Sequence, residues 1–172
     1  VTLDSLLAIH PESYLNFQTG ELNVRTSLVA NGETFIVGNN DQEATLNLLG
    51  NGTHSFADGL RITGSAILSG SGTITGLLTV MSGGTLAPGP SSTGKIALST
   101  SPSLAGMVVM ESSKTGSLLT AVVTNDHVQV AGPLTYGGSL RVTHLGPNAL
   151  TAGNRLRLFS ANSYAGSFSS MT

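Results

Sequence analysis

Cysteine and tryptophan are both absent from this 172-residue chain. Without thiols there can be no disulfide and no thiolate metal site. Charged side chains make up only 9% of the residues and aromatics 5%, where an average globular chain carries about 25% charged residues. Disorder does not follow, because disordered chains are also poor in aliphatic residues and 40% of this chain is hydrophobic. No apolar run is long enough to cross a bilayer as a helix, so membrane insertion is not expected. The 7 basic and 9 acidic side chains are scattered, for a formal net charge of −2. The longest basic cluster is Arg155 with Arg157, which is no footprint for phosphate neutralisation, so nucleic acid is excluded as a partner. Helical periodicity is also missing. The exception is Leu3 to His10, where Leu6-Leu7-Ala8-Ile9 reads either as a short helix ended by Pro11 or as an edge strand.

The chain is instead rich in glycine, 22 in all, and in Ser, Thr and Asn. Short alternating runs recur between these turn residues: Leu22-Asn23-Val24, Ser27-Leu28-Val29, Thr34-Phe35-Ile36-Val37, Thr45-Leu46-Asn47-Leu48-Leu49, Leu60-Arg61-Ile62, Ala66-Ile67-Leu68, Thr73-Ile74-Thr75 and Leu77-Leu78-Thr79-Val80. Asn31-Gly32 and Asn51-Gly52 read as turns, and so does Gly70-Ser71-Gly72. Strands this short, separated by Gly-rich turns, suit a coil in which each turn of chain stacks on the last, with imperfect repeats of roughly 20–25 residues. The expected fold is all-β: a right-handed parallel β-helix (β-solenoid) over residues 1–172. Residues 1–59 form N-terminal rungs or a cap, and 60–106 carry the clearest repeat. Residues 107–172 form wider rungs with longer strands, including 118–123, 127–130, 139–143 and 155–159, or an antiparallel cap. Stacked Ser, Thr and Asn ladders would keep such a coil wet with few charges. A β-sandwich should instead show longer alternating strands at even spacing throughout.

The run Gly72-Thr73-Ile74-Thr75-Gly76, followed by Leu78-Thr79-Val80-Met81-Ser82-Gly83-Gly84-Thr85-Leu86-Ala87-Pro88-Gly89, resembles the autotransporter-associated β-strand repeat family. Asp126-His127-Val128-Gln129-Val130, Gly138-Ser139-Leu140, Arg155-Leu156-Arg157-Leu158-Phe159 and Gly166-Ser167-Phe168 continue the likeness, which covers roughly residues 60–172. The resemblance implies a right-handed parallel β-helix in a large exported bacterial protein, extracellular or displayed at the cell surface. It brings no catalytic residues and no cofactor. It places glycines at tight corners that need a positive φ, and it makes Thr85 and Leu86 the start of a strand, one facing out and one in. The start, Val1-Thr2-Leu3-Asp4, has no basic region followed by a long apolar stretch, and the family's further strands would lie beyond Thr172. The expectation is therefore a piece of a longer protein whose unpaired end strands invite end-to-end self-association.

Chemistry on a parallel β-helix would need clustered charges. Only Asp41 and Glu43 lie close in sequence, and with Asn39 and Asn40 they read as a carboxylate pair, a weak Ca²⁺ site or, most plainly, a polar loop between rungs. His10, His54, His127 and His144 have no metal-ligand spacing. In Asp126-His127, neighbouring strand residues point to opposite faces. Sugar-binding faces pair flat rings with amide and carboxylate groups, so the candidate ligand contacts are Tyr14, Tyr136 and Tyr164 with Asn39, Asn40 and Asp41. Each tyrosine also reads as a half-buried edge residue, and the five phenylalanines as core or capping groups. Three functions follow. The first is a non-catalytic spacer or adhesin-like surface meeting glycans or other surface proteins. The second is a carbohydrate-binding module attached to a polysaccharide-degrading enzyme, and the third a polysaccharide lyase or hydrolase.

Overall fold

A computed structural model describes residues 1–89, 92–116 and 121–172. Among them there is no helix; the regular structure is entirely β. In chain order the strands are β1 (Thr2–Ala8), β2 (Gly20–Val29), β3 (Phe35–Val37), β4 (Ala44–Phe56), β5 (Leu60–Ile62), β6 (Ala66–Thr75), β7 (Leu78–Val80), β8 (Thr85–Pro88) and β9 (Lys95–Leu98). Then follow β10 (Ser103–Leu104), β11 (Met107–Thr115), β12 (Val122–Asn125), β13 (His127–Val130), β14 (Pro133–Tyr136), β15 (Ser139–His144), β16 (Phe159–Ser160), β17 (Ser163–Gly166) and β18 (Ser170–Met171). Of the Leu3–His10 segment, residues 3–8 lie in the edge strand β1, and Ile9 and His10 lie outside it.

Almost every pairing is parallel. The largest sheet runs β1-β2-β4-β6-β8-β11-β15-β18, with β6 also leading through β9 and β13 to β16. A second sheet has the order β3-β5-β7-β10, and β14 pairs with β17. Parallel neighbours stand 24, 22 and 27 residues apart in the first half, as Asn23 with Asn47, Asn47 with Ser69, and Ser27 with His54 show. From β11 onward the spacing widens to 32, as between Ser112 and His144.

Strand lengths depart from the sequence expectation. The first half holds the longest strands, 10, 13 and 10 residues in β2, β4 and β6. The runs 22–24 and 27–29 are one strand, and both Asn51-Gly52 and Gly70-Ser71-Gly72 lie inside strands as corners. Gly70, at φ +95, bends β6 while the ladder continues on both sides, first to β8 and then to β9. A left-handed residue turns the chain there, and the backbone bonds to the next strand resume at once. The corner is also crowded: a Cβ on Gly70 would run into the backbone of Leu48. In the second half, 155–158 are not strand, and of the 155–159 run only Phe159 is, pairing in β16 with β13. Of the 118–123 run, residues 118–120 lie outside the described residues, and β12 folds back antiparallel on β11.

Period-two alternation sends every second side chain inward, and the parallel register lines those side chains up. Leu22, Leu46, Leu68, Leu86, Val108, Leu140 and Met171 follow one another across seven strands. Leu46, Leu68, Leu86 and Val108 have no exposed surface. Val37, Ile62, Val80 and Leu104 form a second file, and Gly72, Ile96, Val128 and Phe159 a third. Each fully buried aliphatic side chain contributes on the order of 1.5–3 kcal/mol, so the core is built from many equal small terms. On the polar side, Asn47 Nδ2 donates to Asn23 Oδ1 at 2.8 Å and Ser69 Oγ donates to Asn47 Oδ1 at 3.3 Å. This is the stacked amide and hydroxyl ladder that the composition calls for. Thr85 and Leu86 open β8, the first half-buried and the second buried.

Candidate functional site

The sequence candidates separate into two groups at opposite ends of the strand series. Tyr14, Asn39 and Asn40 line a groove of about 660 Å³ beside β3, the edge of its sheet. One wall is the segment 11–18, which turns at Pro11 and Glu12 and alternates from Ser13 onward. Its alternation turns Tyr14, Asn16 and Gln18 outward, while Leu15 and Phe17 pack toward the core. Two bonds hold this wall in place: Gly38 donates its N–H to the Phe17 carbonyl at 2.8 Å, and Asn31 Nδ2 donates to the Ser13 carbonyl at 2.7 Å. Phe35 lies in the opposite wall, buried and stacked on Phe56 with centroids 5.8 Å apart.

Asn39 and Asn40 are partly committed to the backbone. Asn39 Oδ1 accepts the N–H groups of Asp41 and Gln42, each at 3.0 Å, and Asn40 Oδ1 accepts Gly64 N–H at 2.8 Å. These oxygens shape a tight turn in which Asn40 sits at φ +73, a region that asparagine tolerates. Asp41 is exposed and does not line the groove. Among the described residues no group of His, Asp and Glu is arranged to hold a metal ion.

Tyr136 and Tyr164 meet at the other end. Their rings stack 5.8 Å apart, and Phe159 and Phe168 lie 5.4 and 4.9 Å from Tyr136. Arg155, Arg157 and Met171 share the same depression, of about 750 Å³. Two of these rings pair with buried aliphatic residues of the neighbouring strand: Phe159 follows Val128, and Tyr164 follows Leu134. Burial, and then the neighbouring Tyr164, pushes the Tyr136 hydroxyl above its ordinary pKa.

Two features escape sequence reasoning altogether. The first is a pair of carboxyl groups, Asp126 and Glu111. Asp126 has no exposed surface, and its oxygens accept the N–H groups of Gly94 and Glu111, each at 2.7 Å. Burial raises its pKa to about 6 against the pull of those two bonds, and the Glu111 charge adds to the rise. Glu111 is itself raised by burial, with Oε2 buried and unpartnered. The second feature is that three of the four histidines reach a serine on a neighbouring strand. Ser27 Oγ lies 3.0 Å from His54 Nδ1, Ser112 Oγ 3.1 Å from His144 Nδ1, and Ser160 Oγ 2.9 Å from His127 Nε2. A serine hydrogen-bonded to a histidine is the beginning of a nucleophile, and His144 is further oriented by the Asn148 carbonyl at 2.8 Å. Ser27 and Ser112 are buried, however, with the latter at 0% exposure. Their hydroxyls therefore tie strands together rather than face a ligand. The 15-residue separation of Asp126 and Glu111 and the 27–33-residue separations of the Ser–His pairs become contacts only once the register is known.

The chain matches no family model, and neither a curated protein nor a solved structure matches it.

Proposed function

We propose that this chain is a non-catalytic parallel β-helix module, right-handed, of a secreted or surface-displayed bacterial protein, serving as a rigid spacer and interaction surface. The observation that carries this reading is the seven-strand file from Leu22 to Met171. A chain that returns to the same file again and again, always parallel, invests its sequence in a repeated frame, with the half-buried Asn and buried Ser ladder on the opposite face of the strands. The β-strand repeat resemblance between Gly72 and Gly89 supports the same assignment. A frame of this kind holds the side chains of successive turns at fixed spacing, which is what a display surface needs.

The absence of native cysteine makes a clean test of the coil practicable. Thr45 and Ile67 are register partners on neighbouring strands, so the double variant Thr45→Cys/Ile67→Cys is expected to form an intramolecular disulfide on mild oxidation. A pair one residue out of register, Thr45→Cys/Leu68→Cys, is expected to stay reduced. Equal oxidation of both pairs would overturn the coil.

A polysaccharide lyase or hydrolase is the second reading, favoured by one observation, the raised carboxyl pair Asp126 and Glu111. Asp126 spends both oxygens on backbone N–H groups, which suits a structural clasp better than proton transfer. Incubation with neutral and uronic-acid polysaccharides is expected to release no reducing or unsaturated ends. Release that vanishes in Glu111→Gln would replace the display reading with the enzymatic one.

A further inference from the structure

We propose that the groove between the 11–18 segment and β3 is a binding site for a short neutral or amino-sugar oligosaccharide, with Tyr14 as its stacking platform. This goes beyond the display reading and does not depend on it, since a spacer with an empty groove is still a spacer.

Four features of the groove carry the inference. Tyr14 is 82% exposed, far more than a ring placed to fill a core, and it sits at the edge of a concavity whose volume lies within the range of about 300–1,000 Å³ typical of ligand sites. The alternation that exposes Tyr14 also exposes Asn16 and Gln18 on the same side of one extended segment. A flat ring followed by two amides at spacings of two residues, about 13 Å from first to last, suits a short chain of pyranoses, each of which offers an apolar face of C–H groups and a rim of hydroxyls that both donate and accept. Exposed Ile36 in the facing wall, at 40%, extends the apolar floor.

The third feature is Asn31. It lines the groove at 5% exposure, its Nδ2 is spent on the Ser13 carbonyl, and its Oδ1 is buried without a hydrogen-bond partner. An orphaned buried acceptor costs about 1–3 kcal/mol, and a rotation of the Asn31 amide that opens Oδ1 to the groove would let a ligand hydroxyl relieve it. Asn31 thus supplies an acceptor that the fold itself leaves unused.

The fourth feature sets the charge of the ligand. Glu12 and Glu33 line the groove, and none of its lining residues is Lys, Arg or His. A uronic acid would meet two carboxylates with no cation to offset them. A neutral sugar accepts the same carboxylates as hydrogen-bond acceptors, and an amino sugar adds an ion pair.

The test is calorimetric titration of the whole chain with neutral penta-saccharides of β-linked glucose, xylose and mannose, with a chito-oligosaccharide and its de-acetylated form, and with a tri-galacturonate. At least one neutral or amino-sugar probe is expected to bind, and tri-galacturonate to bind at least tenfold more weakly. Tyr14→Ala, a change at an exposed ring, is expected to weaken that binding tenfold or more with an unchanged melting temperature. Gln18→Ala should weaken it severalfold. The proposal is overturned if no neutral or amino-sugar probe binds, if Tyr14→Ala binds within twofold of the parent, or if Tyr136→Ala or Tyr164→Ala abolishes binding instead. It is likewise overturned if the groove takes an extended peptide beside β3 in preference to every sugar.

Discussion

Ser27 Oγ and His54 Nδ1 face each other at 3.0 Å across β2 and β4, in register and shut off from solvent. The histidine ring fills core volume beside Gly52 and Gly72, whose missing side chains make room for it, and its Nε2 has no partner. Burial holds its pKa down at about 4.

A depressed histidine has a defined signature. The folded chain resists a proton that the unfolded chain accepts near pH 6.5, so the stabilisation is complete above 6.5 and is lost as the pH falls toward 4. In His54→Leu this loss should vanish. At pH 7 the variant is expected to be about 1 kcal/mol less stable, because Ser27 loses its partner. Denaturant melts at pH 7 and pH 4.5 should show the deficit shrinking or reversing in acid. A deficit independent of pH would mean that the ring already titrates normally.

Asp126 works in the opposite sense over nearly the same range. Its pKa is raised to about 6 from 3.8, so its contribution is complete below 3.8 and is lost as the pH rises through 6. Between pH 4 and 6 the two groups oppose each other, and the parent chain should show a shallower pH dependence than either variant. Asp126→Asn abolishes one side of the balance. It also sets an amide N–H₂ against one of two backbone donors, at a cost of about 1–3 kcal/mol. Its stability is expected to fall further behind the parent as the solution is acidified from pH 7 to pH 4.5.

Two glycines with similar backbone angles should respond very differently to alanine. Gly76, at φ +103, would press a Cβ into the Phe56 carbonyl, whereas Gly20, at φ +88, has nothing near the position of that atom. Gly20→Ala carries only the left-handed penalty of about 1–2 kcal/mol. Gly76→Ala adds a backbone collision, and it is expected to cost several kcal/mol or to prevent folding. Chemical denaturation of both variants side by side gives the comparison.

Position along a file should decide the cost of truncation. Leu68 has no exposed surface and sits between Leu46 and Leu86, and Leu68→Ala is expected to cost about 2–5 kcal/mol. Met171 ends the same file at 73% exposure, and Met171→Ala should change stability by less than about 0.5 kcal/mol.

The short strands β3, β5 and β7 were legible in the sequence because Phe35-Ile36-Val37, Leu60-Arg61-Ile62 and Leu78-Thr79-Val80 alternate cleanly between turn residues. The long strands were not. Asn51-Gly52 and Gly70-Ser71-Gly72 look like turns locally, yet the neighbouring strand supplies hydrogen-bond partners on both sides of each corner. Tyr14 was visible as a candidate, and the alternation through Asn16 to Gln18 would have extended it. Asn31 was hidden behind an Asn-Gly turn signature. The clasp of Asp126 on Gly94 and Glu111 depends on a register that no local pattern encodes.

The widening from β11 onward comes from excursions that leave the frame sideways. β11 runs on past Ser112 and returns through β12, and the segment after His144 lies along it, with Asn148 Nδ2 donating to the Gly116 carbonyl at 2.8 Å and Lys114 Nζ to Thr151 Oγ1 at 3.0 Å. Below the excursion, Val108 and Leu140 keep their places in the file. Chain length can therefore change in one place with little effect on the other. A longer excursion costs only the slowly growing entropy of a larger loop. A single residue added just before Val108 would turn Val108 and Met110 outward and bring Val109 and Glu111 inward. Variation in this protein has a permitted direction, outward from the corners, where new surface can be added while the frame beneath stays in step.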